Sequence, residues 1–368
     1  FTTPRPRPVS FHIFIQPPST YNVSFFSDKV ICYYQSWASS SFAPSDIDVN
    51  VCTHVNYAFL GIKSDGSLRL DGGDSNIKKL SALKKKNPKL KLLFSVGGWS
   101  EGSKTFSAVA SSGTKKAKMA SSALQFLKTH KFDGIDVDWE YPAQRGGKSS
   151  DKKNFVDMLK VLRKKLKANG NYLLTIAVGS SPDSSSYDVS KIVGLVDYIN
   201  VMTYDFHGAS DGKTGQNAPL YASSKDSDWE KKNANCDAAI KNWKNKGVSS
   251  SKLVLGLAFY GHSYKLKNSK NHGLGAAISG DNGQLPYSEI CKLKSGWKEV
   301  WDSEQKVPYK YKGNKWIGFD NPSSIREKVR YAKNHKLGGV MIWAVDQDDK
   351  SGSCGPKNAL LKEIKKNL

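Results

Sequence analysis

Eight short apolar runs recur along the chain, and Lys-rich segments with apolar residues at helical spacing lie between many of them. The runs are "KVICYYQSW", "THVNYAFLGI", "LKLLFSVGGW", "FDGIDVDWEY", "YLLTIAVGS", "VDYINVMTYD", "KLVLGLAFYG" and "GGVMIWAVD". Several are nearly continuous in Val, Ile, Leu and Phe, as parallel strands covered on both faces must be. Amphipathic segments at residues 76–89, 114–130, 151–169, 230–246 and 322–336 supply the covering helices. Strand and helix alternating eight times predict an α/β chain closed into a (β/α)8 TIM barrel.

One gap breaks the rhythm. About 75 residues separate "LAFYG" from "GGVMIWAVD", far more than a barrel repeat requires. Rich in Gly, Tyr and Trp, they predict a small α+β insertion between strands seven and eight, within residues 261–335. Residues 1–27, "FTTPRPRPVSFHIFIQPPSTYNVSFFS", carry Pro-x-Pro repeats and predict an extended or disordered tail ahead of a barrel over 28–368. That tail holds Asn22-Val23-Ser24, the sole proline-free glycosylation sequon and a pointer to secretion.

The formal charge is +23, from 56 basic against 33 acidic residues. Only seven of the cations are Arg, the residue suited to bidentate phosphate and base contacts. The Lys runs keep Leu and Val at helical spacing and describe the outer faces of packed helices, so no nucleic-acid partner is expected. No apolar run reaches the roughly 20 residues that span a bilayer, so no membrane span is expected. Five cysteines, at 32, 52, 236, 291 and 354, show no CxxC or His-rich metal pattern. Their pairing is open from spacing alone, and the odd count leaves at least one unpaired in a monomer.

The stretch "KFDGIDVDWEYP", residues 131–142, places four acids in a strand-like run. Alternate strand side chains share a face, so Asp136, Asp138 and Glu140 point together, while Ile135, Val137 and Trp139 point away. Asp133 has the other parity and belongs to the start of the strand. Two carboxylates this close cannot both ionise cheaply, so one retains a proton near neutral pH. At the C-terminal end of a barrel strand, such a group is placed to act as a general acid. A divalent-metal site is the alternative, but hard-metal sites draw ligands from several elements. No metal or cofactor is expected.

"FDGIDVDWE" resembles the DxxDxDxE signature of family 18 glycoside hydrolases, the chitinases and their relatives. "KLLFSVGGW" is similar to the family's SxGG motif, with Gly97 and Gly98, "VMTYDFHG" to its MxYD motif, and "GGVMIWAVDQDD" to its last strand. The long insertion is similar to that of the deep-cleft subgroup. The resemblance spans residues 30–350 or so.

The resemblance implies a retaining mechanism assisted by the substrate. Glu140 protonates the glycosidic oxygen. The sugar's own acetamide then attacks the anomeric carbon, steered by Asp138 with Asp136 behind it, while Tyr204 holds the acetamide oxygen. It further implies a cleft for chitin and N-acetylglucosamine oligomers, lined by Tyr33, Trp37, Phe59, Trp99, Tyr141, Met202, Asp205, Tyr260 and Trp343. Disulfides Cys32–Cys52 and Cys291–Cys354 are implied as well, leaving Cys236 free. The expected protein is a secreted, extracellular, monomeric endochitinase. Alternatives are a lectin-like relative of the same fold without catalysis, and an endo-N-acetylglucosaminidase acting on glycoproteins. Two departures stand out. His262 replaces the Arg that commonly follows Tyr-Gly, and "HGASDGKTG" lacks the Trp that often follows His-Gly.

Overall fold

The computed structural model describes residues 29–368, so the expectations for the tail and its sequon lie outside the described residues. Eight strands form the barrel: β1 Lys29–Gln35, β2 His54–Ile62, β3 Lys91–Gly97, β4 Gly134–Asp138, β5 Leu173–Gly179, β6 Ile199–Met202, β7 Leu253–Ala258 and β8 Gly339–Trp343. Each is parallel to its neighbours. β1 pairs with β8 on one side and β2 on the other, which closes the sheet. These are the eight apolar runs of the sequence. The chain is a closed (β/α)8 TIM barrel.

The helix Asp151–Lys167 shows why such segments cover the barrel. Phe155, Leu159, Leu162 and Leu166 recur at three- and four-residue steps and are buried on one stripe. Each buries about 2 kcal/mol worth of apolar surface. Asp151 sits in the first turn and Lys164, Lys165 and Lys167 in the last, matching the helix dipole.

The repeat is less uniform than the sequence pattern predicts. Between β1 and β2 the chain makes only two short 3-10 turns, Ser36–Ala38 and Pro44–Asp46. The Cys32–Cys52 disulfide cross-links this connection, starting from β1. The expected helix at 230–246 is two helices, Asp228–Asn233 and Cys236–Asn245. Asn235 breaks them because its side chain accepts from the Ala238 amide and caps the second.

A second, antiparallel sheet follows β7. Its order runs from Ile278–Pro286 through Tyr260–Leu266, Lys315–Gly318 and Val307–Lys312 to the far edge at Lys298–Asp302. Tyr264, Trp316 and Tyr309 stack at its core, with Trp316 fully buried. The helix Pro322–Asn334 that follows returns to the barrel, capped by Asn321, and packs against β7 and β8. A disulfide between Cys291 and Cys354 ties the sheet unit to the segment after β8, while Cys236 is free and buried. Among the described residues no helix is long and apolar enough to cross a membrane.

Candidate active site

β4 is buried along its whole length, and its inward side chains carry charge into the barrel. Asp136 is fully buried and receives four donors. The Tyr33 hydroxyl (2.7 Å) and Ser95 Oγ (2.9 Å) donate to Oδ2; Thr175 Oγ1 (2.6 Å) and Asn200 Nδ2 (3.3 Å) donate to Oδ1. Burial raises its pKa, and these hydrogen bonds work against the rise by favouring the anion.

Asp138 is different. It is buried too, yet no protein donor reaches its Oδ1. Burial first, then the charges of Glu140 and Asp136, push its pKa well above the usual carboxylate range. Glu140 is pushed up to about 7, chiefly by burial; the Arg145 guanidinium opposes the rise and the Asp205 carboxylate adds to it. A proton between Asp138 and Glu140 relieves both groups at once. Trp139, between them in sequence, points the other way and stacks on Phe106 at 5.0 Å. The alternating parity of the ladder is therefore as the strand period requires.

Asp133 lies at the opposite end of the barrel wall. Its Oδ2 accepts from the Leu92 amide and pairs with Lys84, both at 2.7 Å, a purely structural position. Gly97 and Gly98 serve the mouth instead. A Cβ on Gly97, whose φ is +113°, would lie 2.2 Å from the Asp138 carbonyl oxygen. The Gly98 amide donates to that same oxygen at 2.8 Å, so the chain after β3 rests directly against the end of β4.

Tyr204 is buried opposite the carboxylates, packed near Tyr33, Tyr260 and Met341 with half-buried Met202 at the edge. Its hydroxyl meets only the Met341 thioether, at 3.7 Å, a weak acceptor. Burial keeps it protonated. The phenol is thus a strong donor with no strong acceptor of its own.

Aromatic rings frame the mouth. Trp343, at the end of β8, stacks on Phe59 at 5.5 Å and meets Tyr33 edge-on at 5.6 Å. Trp37 extends this surface, 6.4 Å from Trp343. Trp37 and Trp99 are 59% and 60% exposed, unusual for indoles unless a ligand covers them. Tyr141, just beyond Glu140, is half-buried against the end of β5 at Gly179. The peptide bonds after Ala58, Glu140 and Trp343 are cis, and all three lie near this mouth.

On the insertion side, Asp205 Oδ1 accepts from the Tyr260 hydroxyl and contacts His262 Nε2, both at 2.7 Å. The residue that departs from the usual Arg is therefore seated on the Asp205 carboxylate.

Sequence reasoning missed four contributors. Ser95, Thr175 and Asn200 are polar residues at inward positions of apolar strands, and that parity was the available signal, together with the SxGG motif for Ser95. Arg145 lies in an irregular loop with φ +49°. It sits 3.5 Å over the Trp99 ring and donates at 2.9 Å to the carbonyls of both Trp99 and Glu140. Nothing in the local sequence pattern marked it.

A closed parallel barrel with a buried carboxylate pair at a strand C-terminus, framed by aromatic rings, places the chain among (β/α)8 barrels with their site at the C-terminal face. Within that class, residues 29–348 match the model of "Glycosyl hydrolases family 18". The chain belongs to this family. It is 38% identical to "Chitotriosidase-1" of Mus musculus over 349 residues, covering 88% of this chain and 74% of that protein. The crystal structure of Ostrinia furnacalis Group IV chitinase in complex with allosamidin superposes with a TM-score of 0.89 at 36% identity, covering 92% of this chain and 98% of that one. A human pseudo-chitinase described as having retained chitooligosaccharide binding superposes with a TM-score of 0.87 at 34% identity, covering 93% and 100%.

Proposed function

We propose that the protein is a secreted chitinase that cuts within chains of β-1,4-linked N-acetylglucosamine by the retaining, substrate-assisted route. One observation carries the reading. Asp138 presents a buried oxygen without a donor, and Tyr204 presents a buried hydroxyl without a strong acceptor. An acetamide supplies the missing partner to each: its N–H to Asp138, its carbonyl oxygen to Tyr204.

The step follows from this pairing. Glu140, protonated below about pH 7, donates its proton to the glycosidic oxygen as the C–O bond breaks. The acetamide oxygen, held by Tyr204, closes on the anomeric carbon. As positive charge grows on the acetamide nitrogen, Asp138, left an anion once Glu140 has given up the proton the pair shared, stabilises it. Asp136 remains well solvated by its four donors through that change. Water then attacks the anomeric carbon from the face the leaving group vacated, and the bond to the acetamide oxygen breaks to restore the acetamide. Glu140, now a carboxylate, takes the water's proton, and configuration is retained.

Trp343 forms the floor under the reacting sugar, with Trp37 and Trp99 as platforms along the cleft. Asp205, braced by Tyr260 and His262, reaches toward the neighbouring sugar. Secretion is supported by two disulfides, which persist in oxidising compartments.

The test is hydrolysis of an N-acetylglucosamine hexamer by the wild type and by Glu140→Gln, read by product length and anomeric form. Short β-anomeric products from the wild type, with activity reduced about 10²–10⁴-fold in the variant, support the reading. A wild type that binds the hexamer and leaves it intact would make this chain another pseudo-chitinase, like its human structural neighbour.

A further inference from the structure

Five large apolar side chains stand exposed among the described residues: Trp37, Trp99, Tyr221, Trp229 and Trp301. The first two belong to the cleft. The other three sit on just two segments, the stretch 221–229 and the strand Lys298–Asp302, and hydrogen bonds tie the first to the turn that follows the second. Glu304 Oε2 accepts from Ser223 Oγ at 3.0 Å and from the Ser224 amide at 2.8 Å. The Leu220 amide donates to the Gln305 carbonyl at 2.9 Å.

Trp301 lines one side of an open groove of about 630 Å³. The other side is the first two turns of the helix Pro322–Asn334, with Ser323, Arg326 and Glu327. Tyr221 lies against the same helix farther along, its ring 6.1 Å from that of Tyr331. The groove is separate from the cleft. Lys298–Asp302 is the far edge of the insertion sheet, three strand spacings from the strand that carries His262, or roughly 14 Å at ordinary spacing.

The lining identifies the ligand class. Glu299 and Glu327 balance Lys306 and Arg326, while Asn321 and Ser323 add neutral donors and acceptors. In a chain of net charge +23 this groove has no net charge, so an anion would find better sites on the Lys-rich helices. An apolar protein surface would strip water from four charged groups. A neutral sugar chain meets neither objection: its C–H face rests on indole and its hydroxyl and acetamide rims reach the charged walls. Glu299 is already oriented, accepting from Asn321 Nδ2 at 2.9 Å with Lys310 at 3.4 Å.

We propose that this groove is a second binding site for N-acetylglucosamine chains, holding polymer to the outer wall of the insertion while the cleft works on another segment. The proposal rests on the chitin reading of the cleft. The measurement is calorimetric titration of full-length Glu140→Gln with the N-acetylglucosamine hexamer, repeated with Trp301→Ala added. Alongside it, wild type and Trp301→Ala are compared for adsorption to insoluble chitin and for hydrolysis of the soluble tetramer.

Two binding sites falling to one in the double variant, with adsorption reduced several-fold and tetramer hydrolysis unchanged, are expected. The unchanged tetramer rate also shows that Trp301→Ala folds. A single site in both proteins with equal adsorption overturns the groove and leaves the cleft reading standing. No hexamer binding at all overturns both. Self-association of the wild type that disappears in Trp301→Ala, without any change in sugar binding, overturns the groove in favour of a contact between copies.

Discussion

At the residue scale the governing fact is one proton too few for two buried acids. Glu140 is raised by burial from the ordinary 4.5 to about 7, so the rate should be level below neutrality and fall as pH rises through about 7. A pH–rate profile on the tetramer checks this, and a limb set well above 8 would contradict it. The same shift has a stability consequence. Between 4.5 and 7 the folded state keeps a proton the unfolded chain has lost, so the stabilisation is complete below 4.5 and is lost as pH rises through 7. At pH 8 the wild type therefore carries a penalty of about 3 kcal/mol that Glu140→Gln lacks. The Gln amide can also donate to the orphan Asp138 oxygen. Urea unfolding should show the variant more stable at pH 8 and the difference shrinking toward pH 4.5. Asp136, Asp138 and Glu140 were legible because strand parity puts them on one face. Ser95, Thr175 and Asn200 obey the same parity, but a lone hydroxyl or amide in an apolar strand signals a partner without naming it. Arg145 was illegible because a loop of positive φ, not a periodic element, aims it.

At the scale of elements, the eight barrel strands could be read because each is covered on both faces and so is apolar almost throughout. The connections were harder. The 3-10 turns between β1 and β2 leave no 3.6-residue stripe, and the break at Asn235 is a capping event inside an unbroken amphipathic pattern. Gly97 illustrates an element-level constraint with a measurable cost. Gly97→Ala places a methyl group against the Asp138 carbonyl and demands a left-handed φ, so it should destabilise the barrel by about 2–4 kcal/mol in urea and lower kcat by displacing β4. If its unfolding midpoint matched the wild type, the close approach of β3 and β4 would be wrong. His262 offers a gentler probe. Its contact with Asp205 is an ion pair only when the imidazole is protonated. His262→Arg keeps a donor beside the Asp205 carboxylate and should change KM more than kcat when hexamer hydrolysis is measured.

At the scale of the whole molecule, the +23 charge lies on Lys-rich outer faces and leaves the cleft's own charge logic to its carboxylates. Exposed charges are screened over about 8 Å at physiological salt. Added salt should therefore weaken adsorption to anionic surfaces while leaving hydrolysis of the uncharged tetramer nearly constant; a parallel loss of both would place the Lys residues in the cleft. The Cys291–Cys354 bond acts on the same scale. It joins the insertion, which forms one bank of the cleft, to the chain just past Trp343, which forms the bed, across 63 residues. Bank and bed are thereby riveted into a single frame. A protein so built has a channel of fixed gauge, sized before any ligand arrives. Cutting the rivet with Cys291→Ala/Cys354→Ala should let the gauge drift, and the loss would be felt by long oligomers, which span both parts, more than by short ones that touch the bed alone.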